Sequence, residues 1–328
     1  MRTGKISESI LKRSVLRLIK THRDEVIKGA EVGGDCAFLS WRNQERGTAC
    51  SMQTVTLPVK NAAYLAVIAG TNNLTASGAE PAAVLLSLTL PEEAPEEILK
   101  EIMNQAQKGC TELNIQIAGG HTEVSSAVRS PVISVTAVGT IGDTACMEQG
   151  DASEMDIVMS KWIGLEGTAV LALEKGEELA GRFPARLIDK AKSCEGWLST
   201  ANEAAIALKS GVYTMHDIRN GGVFGALWEL SRKIGVGLTV HLREIPIRQE
   251  TVEICEFFDL NPYELLSGGA LLMVTSDGKR LAEDLQREGV PAAVIGRTNS
   301  GNDKVVLNRD ETRYLTMPAA DEIFKVSF

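Results

Sequence analysis

The stretch Val132-Ile133-Ser134-Val135-Thr136-Ala137-Val138 restricts this chain more than any other. Seven residues, β-branched or small and without charge, predict a strand buried on most of both faces, at home inside a helix-covered sheet. Around it the first half alternates. Strands are predicted at 37–40, 49–57, 83–90, 114–118 and 131–139. A helix of small residues spans 59–77 and closes at Gly78, and another opens at Pro95, carries Ile98, Ile102 and Ala106 on one face, and stops at Gly109. A turn-rich polar stretch, 139–154, predicts a boundary near residue 150. Beyond it, strands at 156–160, 212–215, 238–242, 270–275, 291–297 and 304–307 alternate with helices. The expected architecture is α/β to α+β in two units, 1–150 and 151–328, which suits 328 residues at about 150 per domain.

Charge and cysteine usage remove several functions. A net charge of −9 gives no basic footprint for nucleic acid. No apolar run is long enough for a membrane span and no leader pattern opens the chain, so a cytoplasmic protein is expected. Cys36, Cys50, Cys110, Cys146, Cys194 and Cys255 stand singly and read as small buried apolar residues rather than a metal or redox pair. The first thirty residues are locally basic, and Leu11, Val15, Leu18 and Ile19 at helical spacing predict a helix, capped by Ser7, docked on the acidic body.

Four glycine-bordered polar loops remain as candidate chemistry. They are Gly33-Gly34-Asp35-Cys36, Gly119-Gly120-His121-Thr122-Glu123, His216-Asp217-Ile218-Arg219-Asn220-Gly221-Gly222 and Ser267-Gly268-Gly269. Paired glycines admit close backbone approach, and N–H groups at a helix start favour an anion. Two of only four histidines, His121 and His216, fall in these loops. No P-loop, dinucleotide fingerprint or nucleophile elbow is present. A phosphorylated ligand held on glycine loops is the reading the residues support.

The order of these segments resembles the aminoimidazole ribonucleotide (AIR) synthase superfamily, which includes PurM, selenophosphate synthetase, thiamine-phosphate kinase and HypE. Gly34-Asp35-Cys36-Ala37, Gly119-Gly120-His121-Thr122 and Asp217 through Gly222 are similar to its motifs, and residues 214–272 are nearest the HypE-like, AIR-synthase-related branch. The resemblance implies a PurM-like fold whose ferredoxin-like N-terminal half builds a barrel shared in a homodimer, with a mixed α/β layer domain following. It implies ATP and Mg²⁺ in the cleft between the units and phosphoryl transfer to an oxygen of a small molecule, in hydrogenase or other maturation with a possible partner protein. By that resemblance Asp35, Asp217 and Asn73 would hold metal. Gly34, Gln53, Gly119, Gly120, Thr122, Gly221 and Gly222 would contact nucleotide, and His121, His216 and Asp217 would serve catalysis.

Two departures accompany the likeness. Gln53 and Asn73 stand where relatives carry aspartates, so metal binding is expected to be weaker. Ser327 and Phe328 stand where HypE carries its working cysteine, and no thiol precedes Cys36 as in selenophosphate synthetases. The alternative expectation is a non-catalytic, nucleotide-sensing or scaffold dimer with a degenerate metal site.

Overall fold

The computed structural model describes residues 4–42, 45–142 and 150–328. In chain order its helices and strands are α1 (Glu8–Ser14), β1 (Val26–Lys28), β2 (Ala37–Leu39), β3 (Thr48–Val55), α2 (Ala62–Ala76), β4 (Ala79–Leu90), α3 (Glu96–Glu112), β5 (Gln116–Val124) and β6 (Val132–Ile141). The second half adds β7 (Asp156–Ser160), α4 (Leu165–Glu174), α5 (Gly176–Ala180), α6 (Ala185–Lys192), α7 (Ala201–Lys209), β8 (Thr214–Ile218) and α8 (Gly222–Ile234). It closes with β9 (Gly237–His241), α9 (Gln249–Phe257), β10 (Ala270–Thr275), α10 (Gly278–Arg287), β11 (Ala292–Asn299), β12 (Lys304–Asn308) and β13 (Glu311–Tyr314). Cys146 and part of the 139–154 stretch lie outside the described residues. No described helix is long and apolar enough to cross a membrane.

Two mixed sheets carry the fold. The first runs β1-β2-β3-β6-β4-β5, with only β4 and β5 parallel. The restrictive strand is β6, central in the order, but only one of its faces is buried. Ile133, Val135 and Ala137 face α2, while Val132, Ser134, Thr136 and Val138 are partly exposed on the other face, which corrects the expected burial of both. The helix of small residues is α2, and all of its residues are buried. Such a helix has no solvent face, so it packs between elements rather than on a surface. It lies against β3, β4, β6 and α3 on the side of the first sheet, and meets α7 and β8 of the second half.

The second sheet runs β13-β12-β9-β11-β7-β10-β8. Alternation along its strands divides two cores. Ile157, Met159, Leu272 and Val274 pack with Val223, Leu227 and Leu230 of α8, whereas Val158, Leu271 and Met273 pack with Leu281 and Leu285 of α10 and with α7. The two halves are bolted at α2. Asn72 donates from Nδ2 to Leu198 O at 2.7 Å and accepts from Thr200 N at 3.0 Å, and the Thr75 and Thr200 hydroxyls meet at 2.9 Å.

Several sequence expectations are corrected. The Gly-Gly-His-Thr segment is part of β5 rather than a loop, and His216 and Asp217 lie within β8 rather than after it. Glycine-rich and polar strands lack the apolar alternation by which strands are found. The N-terminal helix is only seven residues long, buries none of them, and leaves Val15, Leu18 and Ile19 exposed. Polar links dock it instead: Trp228 Nε1 donates to Glu8 at 2.9 Å, and Arg232 pairs with Glu8 at 3.1 Å.

Candidate functional site between the two sheets

The cleft is assembled from both halves. Asp35 stands just before β2, Gln53 on β3 and Asn73 on α2, all from the first half. β8, the edge strand nearest α2, contributes His216 and Asp217, paired with Leu272 and Leu271 of β10. Arg219 and Asn220 form the turn into α8, and α8 supplies Glu229. These side chains, with Gly34 and Lys5, line a cavity of about 290 Å³. A second cavity of about 240 Å³ adjoins it, sharing Lys5, Arg219 and Asn220.

At its centre is a buried charge cluster. His216 Nδ1 lies 2.9 Å from Asp35 and Nε2 lies 3.4 Å from Glu229, and Lys233 Nζ stands 3.5 Å from Asp35. Burial disfavours the imidazolium, but the two carboxylates outweigh it and raise the His216 pKa to about 9. At Asp35 burial is outweighed in turn by His216, Lys233 and Lys5, which hold its carboxyl below the usual range. Asp217 differs. Burial and the neighbouring Asp35 push its pKa up to about 7, and its Oδ1 is buried without a hydrogen-bond partner.

Arg219 joins the two halves across the cleft floor. Its guanidinium clasps Glu166 in fork geometry, at 3.1 and 2.8 Å, and donates from Nη1 to Gln53 Oε1 at 3.3 Å. Asn73 donates from Nδ2 to Ser51 Oγ at 2.8 Å. Lys5 pairs with Glu229 at 2.5 Å from the N-terminal segment.

The glycine turn is already engaged. Gly221 N donates to Asp321 Oδ2 at 2.7 Å, and Asp321 also accepts from Leu266 and Ile323. The predicted anion donor at Gly221 therefore has a carboxylate of this same chain in front of it. Gly222 opens α8 at φ +60°, and a Cβ there would collide with Tyr263 O. Gly222→Ala is accordingly expected to cost more than about 2 kcal/mol, read as a lowered urea midpoint; an unchanged midpoint would contradict the tight turn.

Asp35, Gly34, Gln53, Asn73, His216 and Asp217 thus meet in one cavity. Gly119, Gly120, His121 and Thr122 do not line it. They occupy β5 at the sheet edge, where His121 is 70% exposed and faces Glu123 at 3.4 Å. The expected convergence of His121 with Asp35 and Asp217 within one chain is absent. Gly120 is glycine for a backbone reason: at φ +153°, a Cβ would overlap Leu86 of β4. Lys5, Glu166, Glu229, Lys233 and Asp321 were not anticipated as parts of the site.

The AIR synthase related protein N-terminal domain family matches residues 33–141, and the corresponding C-terminal domain family matches 154–308. The chain belongs to the AIR synthase related family. Among members similar to it is a Methanocaldococcus jannaschii protein named for hydrogenase expression and formation, 27% identical, with 98% of this chain and 97% of the relative covered. Another is the carbamoyl dehydratase HypE of Azotobacter vinelandii, 27% identical over 71% of this chain and 68% of that protein. A crystal structure of the hydrogenase maturation protein HypE in complex with ATP superposes with a TM-score of 0.71 at 21% identity, covering 98% of this chain and 97% of that one. The PurM-like, two-domain mixed α/β fold of this family is thereby established for the chain.

The donor set suits one hard cation. Asp217 offers a buried, unpartnered carboxylate oxygen and Asn73 a neighbouring amide, the ligand types magnesium takes alongside phosphate oxygens. Among the described residues, no three His, Cys, Asp or Glu side chains converge as a metal cage.

Proposed function

We propose that this chain is a HypE-like, ATP-dependent enzyme that transfers the γ-phosphoryl group of ATP to an oxygen of a small molecule, in hydrogenase or other cytoplasmic maturation alongside a partner protein. The observation that carries this reading is the unpartnered Asp217 oxygen in a cleft between the two halves. Residues 1–150 and 151–328 act as the two walls. Asp217 and Asn73 would hold Mg²⁺, which neutralises phosphate charge when bound. Gly34 and Gln53 border the same space, and the His216 imidazolium fixes Asp35 beside it. In the transfer, the bond from γ-phosphorus to the β-bridging oxygen breaks as the bond to the acceptor oxygen forms, so positioning and charge dominate over any strong nucleophile.

Support for a homodimer comes from the first sheet. Met52 of β3 and Leu85 of β4 oppose Thr136 of β6 in one row, on the face away from α2, and are 67% and 42% exposed. A second copy laid on that face would cover them and bring Gly119, Gly120, His121 and Thr122 into an interface.

A second reading, a nucleotide-sensing or scaffold dimer without turnover, is favoured by one observation: Asp35 is already neutralised by His216 and Lys233. Calorimetry separates binding from its absence. Saturable heat with ATP and Mg²⁺ is expected, and no heat up to about 1 mM ATP, an affinity weaker than about −4 kcal/mol, overturns the enzyme and the nucleotide-sensing readings and leaves only a scaffold. Hydrolysis or transfer at about 1 s⁻¹ or faster by the unaltered protein removes the scaffold reading.

A further inference from the structure

The resemblance places metal-holding side chains at positions 35, 53, 73 and 217, and this chain has disposed of their charge in an unusual way. The Asp35 carboxylate is taken by two buried cations, His216 at 2.9 Å and Lys233 at 3.5 Å. Gln53 carries no charge, and its Oε1 accepts from Arg219. Asn73 is neutral, with its Nδ2 committed to Ser51. Of the four, Asp217 alone keeps a buried oxygen with no partner.

Two fixed cations border the space where metal charge is missing, each paired with one carboxylate and with N–H donors to spare. Arg219 borders both adjoining cavities with three of its N–H groups committed, to Glu166 and Gln53, out of the five a guanidinium carries. Lys5 borders the same two cavities, and its half-exposed ammonium pairs with Glu229 and also acts on Asp35. A triphosphate carrying one divalent cation is still anionic, so the uncommitted N–H donors of these two cations complement it.

We propose that this chain holds a nucleoside triphosphate with a single divalent cation, at Asp217, and with Lys5 and Arg219 as fixed charges in place of further metal ions. The inference rests on the nucleotide reading above. It also gives Gln53 a meaning: an aspartate there would capture Arg219 as an ion pair or recruit a second cation, and the amide does neither.

ATP binding measured by calorimetry across free Mg²⁺, from EDTA upward, tests it. For the unaltered protein, affinity is expected to rise as ATP loads its one ion and then to stay level. Lys5→Met is expected to weaken ATP at saturating Mg²⁺ by about tenfold, about 1.4 kcal/mol, with the apo melting temperature kept as a check on folding. Gln53→Asp is expected to restore a second linked ion, so its affinity keeps rising after the parent's has levelled. If the parent itself takes up two ions per ATP, or Lys5→Met binds ATP as the parent does, the single-ion inference falls while the nucleotide reading stands. If no ATP binds at any Mg²⁺, both fall together.

Discussion

His216→Ala is expected to lower the unfolding free energy by about 3–5 kcal/mol, because it strips the shared cation from two buried carboxylates. Asp35 would keep Lys233 and Glu229 would keep Lys5, but neither substitute reaches both. The effect has a definite pH dependence. A histidine in the unfolded chain titrates near 6.5, whereas in the fold burial is outweighed by Asp35 and Glu229 and the pKa is about 9. Its contribution is therefore complete below about pH 6.5 and is lost as pH rises through about 9, a span equivalent to roughly 3 kcal/mol. Urea unfolding at pH 6 and pH 9.5 measures this directly. The gap between parent and variant should narrow by that amount at the higher pH; a constant gap would mean that His216 titrates alike in the folded and unfolded chain and gains nothing from Asp35 and Glu229.

Asp217→Asn should do the opposite to stability while abolishing the magnesium-linked part of nucleotide binding. Burial and Asp35 raise this carboxyl to about 7, so its ionised form opposes folding. The penalty begins above the unfolded value near 3.9, grows as pH rises to about 7, and is constant beyond, at about 2–4 kcal/mol. The amide variant is thus expected to unfold at higher urea than the parent at pH 8, with the difference vanishing below about pH 4. Added Mg²⁺ and ATP should stabilise the parent much more than the variant. A variant less stable at pH 8, or one still stabilised by Mg²⁺ and ATP to the parent's extent, would remove Asp217 from the centre of the site. A carboxylate retained against its own folding cost marks a position kept for a ligand.

Asp35, His216 and Asp217 were legible because each flanks a predicted strand within a glycine-bordered polar segment, and the resemblance gave their order meaning. The small-residue helix α2 was legible for the same reason that it is buried, because its composition leaves no solvent face. The strand β6 was legible as a strand, but its lack of charge overstated its burial, since Val132, Ser134, Thr136 and Val138 are partly exposed. The segment Gly119 to Thr122 was misread because glycine and polar residues in an edge strand carry no periodic apolar signal, so β5 looked like a loop leaving a shorter strand. Lys5, Glu166, Glu229 and Asp321 were invisible for a different reason. Each works through a partner distant in sequence, such as Lys5 with Glu229 or Asp321 with Gly221, and no local pattern encodes such a pairing. Glu229 in particular hides on α8, where a charged residue reads as an ordinary solvent-side position.

A helix with no wetted side ties the life of one half to the other. While the second sheet is unformed, the side of α2 that carries Asn72 and Thr75 has neither Leu198 nor Thr200 to satisfy it, and the apolar remainder of that side stands bare. During synthesis the leading half must therefore wait, sticky and incomplete, for the trailing half to emerge, and the two mature as one cooperative body.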